Sequence, residues 1–331
     1  MNAQLVIDLA GGSIENFHRK DNTLNPLVWG DKDDKPNPRA MGHFLCLDRW
    51  GPPSDAELKN GMPFHGEAAN VVWQTLRAPA EQKGSIHAEM SAQLPMAGLS
   101  IKRSIDLSAT QSCFTVTEEV TNTNKLGRIF NMVQHPTIGP PFLDENVLVD
   151  SNAKQGFMQT EPLPNPEKTV IQWPGAVNKG QPVDMRRLTN NPDPNVVSYV
   201  VDDKGGWVTA SNPAKGLLIG YVWKTEEYPW FNAWRHVENG KPLARGLEFG
   251  TTGLHQPFPI LVSKGKILGR PLYEYLDAGQ TVSKSYICFL IPIPADYKGV
   301  GSLEYDGKQV ALTEHGSKRL LRMEVGPGLA R

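Results

Sequence analysis

The sequence predicts an all-β protein built from large antiparallel sheets, and three observations carry that prediction. Apolar and polar residues alternate with a period of two in many short runs; in Cys113–Asn122, Phe114, Val116 and Val120 fall on one face and Thr115, Thr117 and Thr121 on the other. Runs rich in β-branched and aromatic residues recur at regular spacing, each closed by Gly, Pro, Asn or Ser, as in an antiparallel sheet. The 31 glycines and 27 prolines exceed ordinary usage without forming a low-complexity tract, which fits many turns between many strands.

In chain order, Leu5–Asp8 and Ile14–Lys20 read as an opening hairpin joined by Gly11 and Gly12. Residues 25–60 are rich in loop residues, with a charge cluster at Asp31–Lys35, a short apolar strand at His43–Leu47 and one helical turn at Asp55–Lys59. A long irregular passage in a compact protein tends to carry a site. Four strands follow, at Val71–Arg77, Ser85–Leu94, Leu99–Leu107 and Cys113–Asn122. A polar turn leads into Arg128–His135. There Pro136, which has no N–H, and then Gly139, Pro140 and Pro141 are expected to end the strand, placing His135 on the rim of a sheet.

A second irregular region spans 136–194. Strands resume at Val196–Val201, Trp207–Ala210, Gly216–Trp223, Trp230–His236, Arg245–Gly250, Tyr273–Leu276 and Thr281–Ile291, followed by a hairpin tail around Asp306 and Gly307. No repeat or linker divides the 331 residues, so the whole chain reads as a single domain with no helix longer than two turns.

Lys and Arg total 34 against 35 Asp and Glu, a net charge of −1 that provides no basic field for nucleic acid or an anionic membrane. No apolar run reaches the roughly 18 residues of a membrane helix. The expected partner is therefore a small molecule of little charge. Cys46, Cys113 and Cys288 lie far apart in apolar runs, without zinc-ribbon or redox spacing, and read as buried free thiols. The start of the chain lacks a signal peptide's basic and apolar regions, which favours the cytoplasm; a removed signal would leave the periplasm or secretion open.

Four segments join ionisable residues to turn chemistry at strand ends: CLDRWGPP with Asp48 and Arg49, GMPFHGEA with His65 and Glu67, MVQHPTIGPPF with His135, and ARGLEFGTTGLHQPF with Arg245, Glu248 and His255. Taken singly, each histidine is an ordinary hydrogen-bonding group, Arg49 an ordinary ion-pair partner, and Glu248 a strand carboxylate in need of one. Together they are an acid/base set. His65, Glu67 and His135 could supply two imidazoles and a carboxylate to a metal, but no HxxxH or HxH spacing supports this, so neither metal nor cofactor is expected. No GxSxG elbow points to a serine nucleophile. Aromatics cluster in YPWFNAW, which holds Trp230 and Trp234, and an aromatic face beside Arg, His and Glu suits the apolar face and the hydroxyls of a sugar.

On these residues the chain resembles the galactose mutarotase-like superfamily, which includes the aldose 1-epimerases. LSIKRSIDLSATQSCFTVTEEVTNTNKLGRIFNMVQHP is similar to that family's strand pair, Asn-containing turn and strand ending in an acid histidine. FHGEA resembles its second histidine motif, RGLEFGT its glutamate strand, and LVIDLAGGSIENFHRKDNTLNPL its first hairpin. The resemblance implies a β-supersandwich with a cleft on the concave face of one sheet. It implies that Glu248 takes the proton of the anomeric hydroxyl while His135 protonates the ring oxygen, and that the ring opens and recloses with C1 inverted. His65 and Arg49 would orient the sugar, beside Glu67, Trp230 and Trp234. Two further readings stay open: a carbohydrate-binding protein without turnover, and a lyase or hydrolase acting on a glycan.

Overall fold

A computed structural model describes residues 2–30, 38–187 and 192–325; the charge cluster Asp31–Lys35 lies outside them. Among the described residues the chain forms two large antiparallel sheets, as the alternation requires. One has ten strands. Its spatial order is Ala3–Asp8, Ser13–Arg19, His43–Asp48, Arg128–Ile138, Lys241–Gly250, Trp230–Glu238, Val196–Val200, Gln155–Met158 and Ile171–Gln172, with Glu274–Leu276 also paired to Arg128–Ile138. The other has eight, in the order Gln74–Gln82, Ser85–Leu94, Leu99–Ser108, Cys113–Asn122, Thr281–Pro292, Leu217–Lys224, Gly205–Asn212 and Leu148–Ser151.

The sheets bury their facing sides against each other. Leu45, Leu47, Phe130, Met132, Leu247 and Phe249 from the first meet Ile101, Ile105, Phe114, Val116, Tyr221, Trp223 and Leu290 from the second. Each such side chain contributes about 1.5–3 kcal/mol when fully buried. The outer face of the eight-stranded sheet carries Trp207, Leu218, Ile287, Phe289 and Ile291, covered by a three-stranded sheet of Val300–Tyr305, Gln309–Glu314 and Leu320–Glu324.

A polar chain crosses the core on the face of the Arg128–Ile138 strand opposite to His135. Arg103 Nε donates to Glu118 Oε1 across 2.6 Å, and Gln134 Nε2 donates to Glu118 Oε2 across 2.6 Å. His43 Nε2–H donates to Gln134 Oε1 across 3.1 Å. Every charge in this chain is paired, as burial demands.

Two local expectations are corrected. The strand expected at Val71–Arg77 runs instead as Gln74–Gln82 on a sheet edge, where Pro79 costs no ladder bond. The strand expected to stop at His135 continues to Ile138, because Pro136 pairs with His43 on one side and needs no N–H there. His135 is therefore inside a central strand and not at its end. Asp55–Lys59 does form a helical turn, closed by a capping box between Ser54 and Glu57, and the other described α-helix, Phe258–Lys264, is also short. No described helix is long and apolar enough to cross a membrane.

Candidate active site

Register places the central pair. Gly246 stands opposite Thr137, and Phe249 opposite Gln134, which sets Glu248 opposite His135 on the same face of adjacent strands. His135 Nε2 and Glu248 Oε1 are 3.1 Å apart. On the far side of His135, its cross-strand neighbour Phe44 stacks on the imidazole at 4.2 Å between centroids. Gly246 makes room for the carboxylate, since a Cβ there would lie 2.6 Å from Glu248 Oε1.

The loop after His43–Asp48 supplies the next groups. Asp48 adopts φ 84°, which turns the chain so that Trp50 enters the site and its Nε1 donates to Glu248 Oε2 across 2.7 Å. His65 is held by a reciprocal pair of bonds: its N–H donates to Gly51 O, and Gly51 N–H donates to His65 Nδ1, each across 3.0 Å. Nδ1 is thus the acceptor, and Nε2–H faces the cavity. The loop approaches the strand closely at Gly66, where a Cβ would lie 2.0 Å from Leu47 O and φ is +78°. His255, seven residues beyond Glu248, packs edge-on against Trp50 at 4.6 Å and lies 5.5 Å from His65.

These side chains line a cavity of about 360 Å³ with Trp29, Ala40, Phe44, Phe64, Asn195, Val196 and Trp234. That volume lies within the range of small-molecule sites, and the wall is mainly aromatic with a few convergent polar groups. Burial pushes the Glu248 carboxyl well above the ordinary carboxylate range, against the opposing pull of the Trp50 N–H. Burial likewise lowers His135 to about 3, His255 to about 4, and His65 well below its ordinary value. The three histidines therefore favour their uncharged forms at neutral pH, and burial shifts Glu248 in the direction of its protonated form. Among the described residues, no three His, Cys, Asp or Glu side chains are arranged to hold a metal ion.

Of the residues expected at the site, His135, Glu248, His65 and Trp234 line one cavity, and three do not. Arg49 turns away: it donates to Asp48 across 2.6 Å and to Glu57 across 2.9 Å. Arg128 also pairs with Asp48, so this cluster anchors the loop. Glu67 accepts from the backbone N–H groups of Met96 and Ala97, at 3.2 and 2.6 Å, and ties the His65 loop to a neighbouring turn. Trp230 shares its strand face with Trp234, but Phe157, Phe258 and Leu261 cover it and its Nε1 donates to Pro271 O. Sequence reasoning placed His255 in the acid/base set only through the ARGLEFGTTGLHQPF segment and met Trp50 only within CLDRWGPP, and it assigned no role to Phe44 or Trp29.

A larger open cleft, about 1010 Å³, lies between Trp207 and Lys224 of the eight-stranded sheet, the neighbouring Lys154, and Leu303–Tyr305 of the three-stranded sheet with the turn that follows it. It lacks a comparable acid/base pair, so the smaller cavity is the candidate site.

Residues 45–257 match a family model described as Domain of unknown function (DUF4432). No curated protein matches the chain. Solved structures of similar shape include a protein provisionally named an aldose 1-epimerase from Escherichia coli K12, at 14% identity and TM-score 0.61, with 88% of this chain and 97% of that chain covered. A galactose mutarotase related enzyme from Lactobacillus acidophilus matches at 13% identity and TM-score 0.60, covering 89% and 96%. A galactose mutarotase-like protein from Lactobacillus casei matches at 14% identity and TM-score 0.60, covering 88% and 97%. The fold is galactose mutarotase-like, a β-supersandwich of large antiparallel sheets.

Proposed function

Because the chain belongs to the DUF4432 family, whose description assigns no activity, we propose its function from the site: acid/base interconversion of sugar anomers, the reaction of an aldose 1-epimerase. One observation carries this reading, the contact of 3.1 Å between Glu248 and His135 in an aromatic-walled cavity. The hydroxyl and ring oxygens of a hemiacetal sit on the same carbon, so an adjacent donor and acceptor on one wall reach both at once. One group takes the anomeric proton while the other protonates the ring oxygen, the C1–ring oxygen bond breaks, and reclosure on the other carbonyl face reverses both transfers.

Phe44, Trp29 and Trp234 offer apolar faces to the sugar ring, and His65 Nε2–H and the His255 ring offer hydrogen bonds to its hydroxyls. The volume of about 360 Å³ suits a small-molecule sugar. Polarimetry on a panel of freshly dissolved α-aldoses tests the proposal, with faster decay of rotation expected for at least one. Sugar binding in calorimetry without any acceleration would leave a carbohydrate-binding protein instead.

A further inference from the structure

Two lines of side chains lead from the acid/base pair out to Phe64. In one, Glu248 meets His135 at 3.1 Å, the His135 ring lies 5.6 Å from that of His65, and His65 lies 4.2 Å from Phe64. In the other, Glu248 accepts from Trp50, whose indole packs at 4.6 Å on His255, and His255 lies 5.4 Å from Phe64. Exposure rises along both lines. Glu248 and Trp50 are 1% exposed and His135 5%, His65 and His255 are partly exposed, and Phe64 is 52% exposed. The pair is thus the floor of the cavity and Phe64 its mouth. A lone exposed apolar side chain is ordinary on a protein surface. Phe64 differs in being braced edge-on by two imidazoles at the entrance of an aromatic-walled cavity.

The floor orients a sugar. The reaction brings the pair to the anomeric hydroxyl and the ring oxygen, so C1 and the ring oxygen lie deepest. In a six-membered ring C4 stands across from C1, and C3 across from the ring oxygen, so both point to the mouth. C6, carried by the carbon next to the ring oxygen, starts near the floor. A substituent on O4 or O3 leaves through the mouth and reaches Phe64, whereas one on O6 meets the wall. Asn195 adds a polar group to the cavity's exposed margin: its Nδ2 donates to Arg235 O across 2.8 Å, which leaves Oδ1 to accept from a hydroxyl.

We propose that Phe64 forms a second subsite, for a sugar unit linked to O4 or O3 of the reacting one, so that the preferred substrate is the reducing end of a short oligosaccharide and not the bare monosaccharide. The phenyl ring takes the apolar face of the second sugar and Asn195 one of its hydroxyls. This assignment rests on the epimerase reading, because the reaction sets which end of the sugar lies deepest.

The test compares glucose and galactose with their 4-linked and 6-linked homodisaccharides, on the whole protein, by polarimetry of fresh anomers. In at least one set kcat/KM for the 4-linked disaccharide is expected to exceed that for the monosaccharide and for the 6-linked isomer by roughly 3- to 10-fold, the scale of one aromatic contact. Phe64→Ala should abolish that preference, and Phe64→Tyr, which keeps the ring, should retain it. A monosaccharide handled as well as its 4-linked dimer in both sets would overturn the proposal, as would a preference unchanged in Phe64→Ala or lost equally in Phe64→Tyr. The wild-type ratios decide on their own if Phe64→Ala does not fold. If no sugar is turned over, the epimerase reading fails by itself, and the same ratios read as Kd by calorimetry decide the subsite; binding of none of these sugars would overturn it too.

Discussion

The indole of Trp50 donates its only N–H to the carboxyl of Glu248 across 2.7 Å, joining residues 198 positions apart. This bond holds the carboxyl toward the cavity and favours its ionised form against the effect of burial. Trp50→Phe keeps an aromatic ring, though a smaller one, and deletes the donor. A hydrogen bond of this kind to a charged or charge-developing group contributes on the order of 1.5–3 kcal/mol. The expected result is a fall of roughly 10- to 100-fold in kcat/KM, with the Glu248 limb of the pH–rate profile moved to higher pH. An unchanged profile would mean that something else holds the carboxyl.

Glu248→Gln preserves shape and removes the titrating group. Sugar binding by calorimetry should persist, while the acceleration of mutarotation falls by about 10²-fold or more, the usual range for losing a general acid or base. Retained rate would transfer the chemistry to another residue.

Stability should depend on acid. His43, His135 and His255 have an ordinary value of 6.5, lowered in the fold to about 3, 3 and 4 by burial. A histidine with a depressed folded value is fully stabilising above its unfolded value, and that contribution is lost as pH falls through the window between them. Each group changes stability by up to about 1.4 kcal/mol per pH unit there. Glu248 works in the opposite direction: its raised value gives stability below the ordinary carboxylate range that is lost as pH rises. Urea midpoints should therefore decline from pH 6.5 toward pH 4, and His135→Gln should flatten that decline. A decline of the same slope in the variant would show that His135 is not buried neutral.

Arg49→Ala separates anchoring from binding. Removing it leaves Asp48 and Glu57 each short of a cationic partner, and breaking a buried pair costs about 3 kcal/mol or more. Thermal or chemical denaturation should register that loss, while KM at a temperature where the variant stays folded remains near wild type. A large KM change with little loss of stability would return Arg49 to the substrate.

Gly66→Ala should be destabilising by about 1–3 kcal/mol, because the added Cβ meets Leu47 O and φ +78° disfavours any side chain. The same change displaces His65, so the variant is expected to lose affinity for sugar as well as stability; the two are read by denaturation and calorimetry.

By itself the sequence determined the all-β class and most strands, because period-two alternation and turn residues are local signals. Ser85–Leu94 and Cys113–Asn122 lie where the alternation puts them. It also marked His135, Glu248 and His65, since polar residues beside turns in apolar strands stand out. Only the tertiary structure decided which side chains meet. The positive φ at Asp48 breaks the alternation locally, sending Arg49 to carboxylates and Trp50 to Glu248. The partner of Pro136 across the sheet, His43, let the strand continue where a missing N–H suggested an end. Trp230 and Trp234 share a face, yet the Phe258–Lys264 helix covers one and leaves the other open. Register, backbone reversal and coverage depend on contacts between residues distant in sequence, which no local periodicity records.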